Sequence, residues 1–214
     1  RDLDACFWRV GRMSTSEIFF AIELAVPLAG TNAGLAGYFR SLVHHHGEGP
    51  SRADKAKFYT AVAGSLYTQL PNALRGIWDY SDDVNEAKRM YADYTSVLST
   101  RRGARTTPSR VARRGVGFRA PELPGQPVLT ATIALSVVEG TPAAHMIAQA
   151  CGVPKNDLWT RRTFASLLQL IPRIPFSAVR SDVFYVIPGS PDWALTEPDL
   201  LTPEFSYLRL IENR

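Results

Sequence analysis

The chain has 214 residues, 45% of them apolar, and a formal net charge of +4. That is enough for one medium domain with a real core, or a domain with long extensions. Two cysteines, Cys6 and Cys151, exclude a disulfide scaffold and a cysteine-only zinc site.

Arginine greatly outnumbers lysine, which occurs only at positions 55, 57, 88 and 155. The planar guanidinium suits phosphate and buried carboxylate contacts. Residues 1–12 contain Asp2, Asp4 and Arg9, so they form no secretory apolar core. Met13 opens MSTSEIFF, and the first twelve residues read as a cleavage remnant or a piece of a larger parent.

Ser14–Glu17 reads S-T-S-E, a capping box that predicts a helix through Ile18, Phe19, Ile22 and Val26. The apolar run Ile18–Phe39 is long enough to span a bilayer. Glu23, Pro27, Thr31 and Asn32 argue against lipid, Glu23 most strongly. The reading is therefore a buried helix broken near Pro27, without membrane insertion. A second helical piece is predicted from Asn32 to Val43.

His44, His45 and His46 follow, then Gly47 and Glu48. Adjacent histidines do not share a helix face. In an extended chain His44, His46 and Glu48 form a weak candidate metal set. The competing reading is a polar helix exit, and no metal or other cofactor is assigned.

Ser51 caps the next predicted helix, whose buried side is Phe58, Val62, Leu66 and Leu70, ended by Pro71. Leu74, Ile77 and Trp78 suggest a short helical or turn segment. Ser81 is the predicted cap of a further helix, with Asp82 and Asp83 in its first turn. Val84, Ala87, Tyr91, Tyr94 and Leu98 form its stripe.

Arg101–Arg119 has seven arginines and no acidic residue. Gly103, Pro108, Gly115 and Gly117 favour a winding connector there. Arg101, Arg102, Arg105, Arg110, Arg113, Arg114 and Arg119 are the candidate nucleic-acid contacts, directed at phosphates rather than bases. An acidic protein surface competes with phosphate as their target, as does plain solvent.

Val128–Val138 is rich in β-branched residues and predicts a strand. Thr141-Pro142 predicts a helix start, and Gly152 its end. His145 and Cys151 are spaced so that a helix does not pair them, so Cys151 reads as structural. Asn156 or Asp157 caps the next predicted helix, with Phe164, Leu167, Leu168 and Ile171 inward. Asp182–Ile187 predicts another strand, followed by an irregular arm studded with Trp193, Leu200, Leu201, Phe205, Tyr207 and Leu210.

The fold class expected is mainly α, of the α+β kind. Residues 1–100 form an N-terminal helical bundle, 101–127 the arginine-rich connector, and 128–214 a mixed region with two or three strands. No phosphate-binding, dinucleotide, nucleophile-elbow or HExxH motif occurs. The function expected is a structural subunit of a large assembly, capsid- or nucleoprotein-like, in a virion or an intracellular complex. Its partners are copies of itself or other structural subunits, and the backbone of RNA or DNA. Two alternatives stay open: a subunit of a ribonucleoprotein or organellar complex, and an enzyme with a scattered or histidine-based site.

Overall fold

A computed structural model describes residues 16–29, 34–45, 51–104, 125–188 and 195–214, with the backbone alone for 97–104. The molecule is built on an antiparallel sheet, not on a helical bundle. Its first element is the strand β1, Glu17–Pro27. Then come helices α1, Leu35–His45, and α2, Arg52–Gln69, strand β2, Arg75–Ser81, and helix α3, Val84–Ala104. Strand β3, Pro127–Val138, follows, then α4, Pro142–Cys151, α5, Arg161–Leu170, and β4, Val179–Ile187. The short strands β5, Leu195–Thr196, and β6, Arg209–Leu210, complete the six. The order is β4-β3-β1-β2-β6, with β5 paired to the start of β3.

The expected N-terminal helical bundle is thus overturned at its first element. EIFFAIELAVP is a central strand, buried from Ile18 to Pro27. A strand covered on both faces has no polar side, so its apolar run lacks the alternation that marks a half-buried strand. The segment around Ile77 and Trp78 is corrected as well, from a short helical or turn segment to strand β2.

Successive residues of each strand serve two different layers. Ile18, Phe20, Ile22 and Leu24 of β1, with Leu129, Ile133 and Leu135 of β3, pack under α1, α2, α4 and α5. Phe19 and Ala21 of β1, with Ala134 of β3, pack under Ala87, Met90, Tyr91 and Tyr94 of α3. Ala25 and Val128 are covered by Leu195, Leu200, Phe205 and Leu208 of the C-terminal segment.

That segment is a strap. It leaves β3 at β5, crosses the second face in two 3-10 turns, Glu197–Leu201 and Pro203–Phe205, and joins the edge of β2 as β6. It then reaches the helical layer, where the Arg161 amide donates to the Glu212 carbonyl at 2.8 Å and the Glu212 amide donates to Trp159 at 2.9 Å. The strap backbone therefore satisfies an orphan donor at the start of α5.

Two halves of the chain repeat one plan. β1-α1-α2-β2 and β3-α4-α5-β4 each join two antiparallel neighbours by a helix pair. Both second helices end in a proline-containing 3-10 turn, Leu70–Asn72 and Ile171–Arg173. The spacing Ser65-Leu66 to Pro71 recurs as Ser166-Leu167 to Pro172. The halves meet where β1 pairs with β3 in continuous register from Glu17↔Val138 to Pro27↔Val128. A pseudo-twofold axis normal to the sheet passes near the Ile22↔Ile133 pair.

Several local expectations agree with the structure. Ser51 caps α2 in a capping box with Asp54. Thr141 caps α4, with proline in its first turn and Gly152 at its end. Two caps lie elsewhere than expected. Thr160, not Asn156 or Asp157, caps α5, because its hydroxyl accepts from the Thr163 amide. Ser81 ends β2, while the Asp83 carboxylate accepts from the Asn85 and Glu86 amides at the start of α3.

Gly76 of β2 lies under α5, where an added Cβ would stand 2.8 Å from Phe164 and 2.9 Å from Leu24. Gly76→Ala is expected to destabilise the fold by about 1–3 kcal/mol through overpacking. The urea midpoint measures this, and an unchanged midpoint would contradict the close approach.

Candidate functional site

The second face of the sheet should be apolar wherever it is covered, yet one row across its middle is not. Tyr185 of β4, Thr132 of β3 and Glu23 of β1 stand side by side in register, with Ile77 of β2 beyond. Glu23 is 1% exposed. An ionised carboxylate so placed requires hydrogen bonds, because desolvation strongly disfavours its charge.

Tyr207 of the strap supplies one. Its hydroxyl lies 3.0 Å from Oε1 and 3.1 Å from Oε2 of Glu23 and donates between them. A second acid–phenol pair sits one row away, where the Tyr94 hydroxyl of α3 donates to Asp79 of β2. Burial, then the neighbouring Asp79 charge, raise the Tyr94 phenol far above its ordinary pKa, so it stays protonated. Thr130 and Thr132 are buried beside them, and their hydroxyls have no hydrogen-bond partner.

These residues form a polar seam between two covers of the sheet, α3 on one side and the strap on the other. Chemically it sets phenol hydroxyls against acid side chains. Each cover is thereby tied to a strand by a hydrogen bond between a phenol and an acid. Sequence reasoning missed the seam. Glu23 figured only as an argument against lipid, and Tyr207 only as an apolar stud. The available signal was an acid inside an apolar run, which always requires a partner.

Another charged cluster ties the opposite layer. Lys55 of α2 pairs with Asp182 of β4, which also accepts from the Tyr59 hydroxyl at 3.1 Å. Burial first, then Asp182, raise the Tyr59 phenol well above its usual range. This tyrosine is a fixed donor, not a base.

Few of the residues singled out from the sequence have side chains among the described residues. Arg101 and Arg102 lie in the helical backbone at the end of α3, a correction to the expected loop there. Arg105, Arg110, Arg113, Arg114 and Arg119 lie outside the described residues. His44 and His45 end α1, and the His45 Nδ1–H donates to the Ser41 carbonyl at 2.6 Å. His46 and Glu48 fall outside the described residues. Among the described residues no three His, Cys, Asp or Glu side chains are grouped to hold a metal. Cys151 is half-buried, and burial pushes its thiol up to about 12.

A groove of about 450 Å³ runs between α4 and α5, lined by Met146, Gln149, Ser166, Gln169 and Arg173. It lies in the helical layer, away from the seam. Among the described residues, no helix is long and apolar enough to cross a membrane. No protein-family model, no curated protein and no solved structure matches the chain.

Proposed function

We propose that this chain is a structural, non-catalytic subunit of a larger assembly, of the capsid or nucleoprotein kind. In this reading Arg101–Arg119 neutralises nucleic-acid phosphates. The observation that carries it is seven arginines without one acid, in a segment that leaves the end of α3 and returns at β3. A cluster of that density favours a polyanion over isolated carboxylates.

The seam fits the same reading. Glu23 is enclosed and both acids are engaged by phenols, which suits holding a platform together more than turning over a substrate. Large apolar side chains stand exposed at Leu201 and Leu210 of the strap. In this reading other subunits cover both.

The test is binding to a duplex and to a single-stranded oligonucleotide over a range of salt. Affinity is expected to fall steeply as salt rises. Arg113→Ala with Arg114→Ala should reduce the duplex log–log slope by about 2, at roughly 0.9 per lost phosphate contact. An unchanged affinity and slope in the double variant would remove nucleic acid from this segment. Preferential binding to an acidic peptide would then identify a protein partner.

A further inference from the structure

Among the described residues the outer edge of β4 bounds the sheet on one side. At the opposite boundary β6 covers the start of β2, pairing with Arg75 and Gly76. No described strand lies on the outer side of β4. Edge strands carry unpaired ladder groups that template another strand, and proteins usually guard them with bulges and charge.

β4 is guarded at one end only. The register shifts between Ser136 and Val137, leaving Arg180 as the extra residue of a bulge. The Arg180 side chain is exposed and pairs with Glu17 at 3.5 Å. Beyond the bulge, Ser181–Ile187 reads S-D-V-F-Y-V-I, without proline or glycine. Its one charge, Asp182, is already held by Lys55 and Tyr59.

We infer that a second copy of this chain docks on this edge, strand against strand, around a twofold axis normal to the sheet. This deepens the assembly reading and rests on it by naming the partner. Antiparallel self-pairing centred on Phe184 sets Phe184 against Phe184, Val183 against Tyr185, and Ser181 against Ile187 of the copies. No like charges meet, and aromatic and β-branched cross-strand pairs are favourable. The stretch offers a ladder of about 24 Å at roughly 3.4 Å per residue.

The molecule already contains this kind of contact. β1 and β3 join two like βααβ units antiparallel about a pseudo-twofold axis of the same orientation. A copy added at β4 repeats the operation and continues the sheet from one molecule to the next. It also brings the two α1 helices towards each other, since Phe39 of α1 packs on Phe184 with ring centroids 5.5 Å apart. Tyr38, beside Phe39, is 43% exposed and adds aromatic surface near that edge.

The test uses the full chain, free of nucleic acid and in high salt, so that arginine contacts are screened. Light scattering should give twice the chain mass, falling to a monomer in Ser181→Lys, which places a charge on the paired edge. Hydrogen exchange on the unmodified chain provides the second measurement, should that variant fold poorly. Exchange in β4 should slow by about tenfold as the protein is concentrated into the dimer, with the Ile77–Ser81 part of β2 unchanged. A monomer at every concentration would overturn the inference. So would a dimer whose β4 exchange ignores concentration, because its contact lies elsewhere. Loss of nucleic-acid binding on changing Arg113 and Arg114 leaves either result standing, so the two readings fail separately.

Discussion

A chain cut after Pro188 is expected to lose cooperative unfolding. The missing strap carries Leu195, Leu200, Phe205 and Leu208, all buried against Ala25, Val128 and Ile187. Full burial of such side chains stabilises by about 1.5–3 kcal/mol each, so the four together contribute on the order of 6–12 kcal/mol. A domain has only about 5–15 kcal/mol of net stability. The cut also removes the β6 pairing and the carbonyl that receives the Arg161 amide. Circular dichroism through a urea titration should show a broad, early loss of structure, with increased binding of an apolar dye. A sharp transition at the full-length midpoint would contradict the role given to the strap. For the same reason a shortened chain cannot test assembly through this segment, since its fold fails first.

The second large effect is expected at Tyr207. Tyr207→Phe keeps the ring and removes the hydroxyl that lies between the two oxygens of Glu23. Leaving a buried polar group without one of its partners costs about 1–3 kcal/mol, so a loss of that size is expected. Glu23→Gln in the Tyr207→Phe background should cost less than it does alone, because the contact it would weaken is already gone. A double-mutant cycle by urea denaturation measures the coupling. Additive losses would mean that the two residues do not act through this contact.

The sequence made some of this architecture readable, and the reasons are local. Thr141-Pro142, Ser51 with Asp54, and the stripe Phe58, Val62, Leu66 and Leu70 all act within a few residues. Each is a pattern a helix imposes on its own stretch of chain. Val128–Val138 was legible through its β-branched residues, although β3 is covered on both faces. β1 was not, because aromatic, Leu and Ala residues crowd the same two-sided burial and S-T-S-E mimics a helix start. β2 was misread for a related reason. Ile77 and Trp78 are neighbours that bury on opposite faces of the sheet. Their spacing from Leu74 matches one side of a helix equally well.

The seam was illegible on different grounds. Glu23 and Tyr207 are separated by 184 positions, and their contact depends on the path of the strap. Tyr94 meets Asp79 only because α3 crosses the face above β1 and β3. No spacing rule connects such pairs. The buried acid announced that a partner was needed without indicating where it would come from.

The register between β1 and β3 also bears on how the molecule reaches its native state. Its paired residues lie over a hundred positions apart, so this long central ladder carries a high loop-closure cost. Each βααβ unit closes over a shorter span, with its helices bringing both strands together. The expected order is two separately formed hairpin-like halves that dock late along Glu17–Pro27 and Pro127–Val138. Non-local ladders of this kind slow folding, which places the main kinetic barrier at the pseudo-twofold axis.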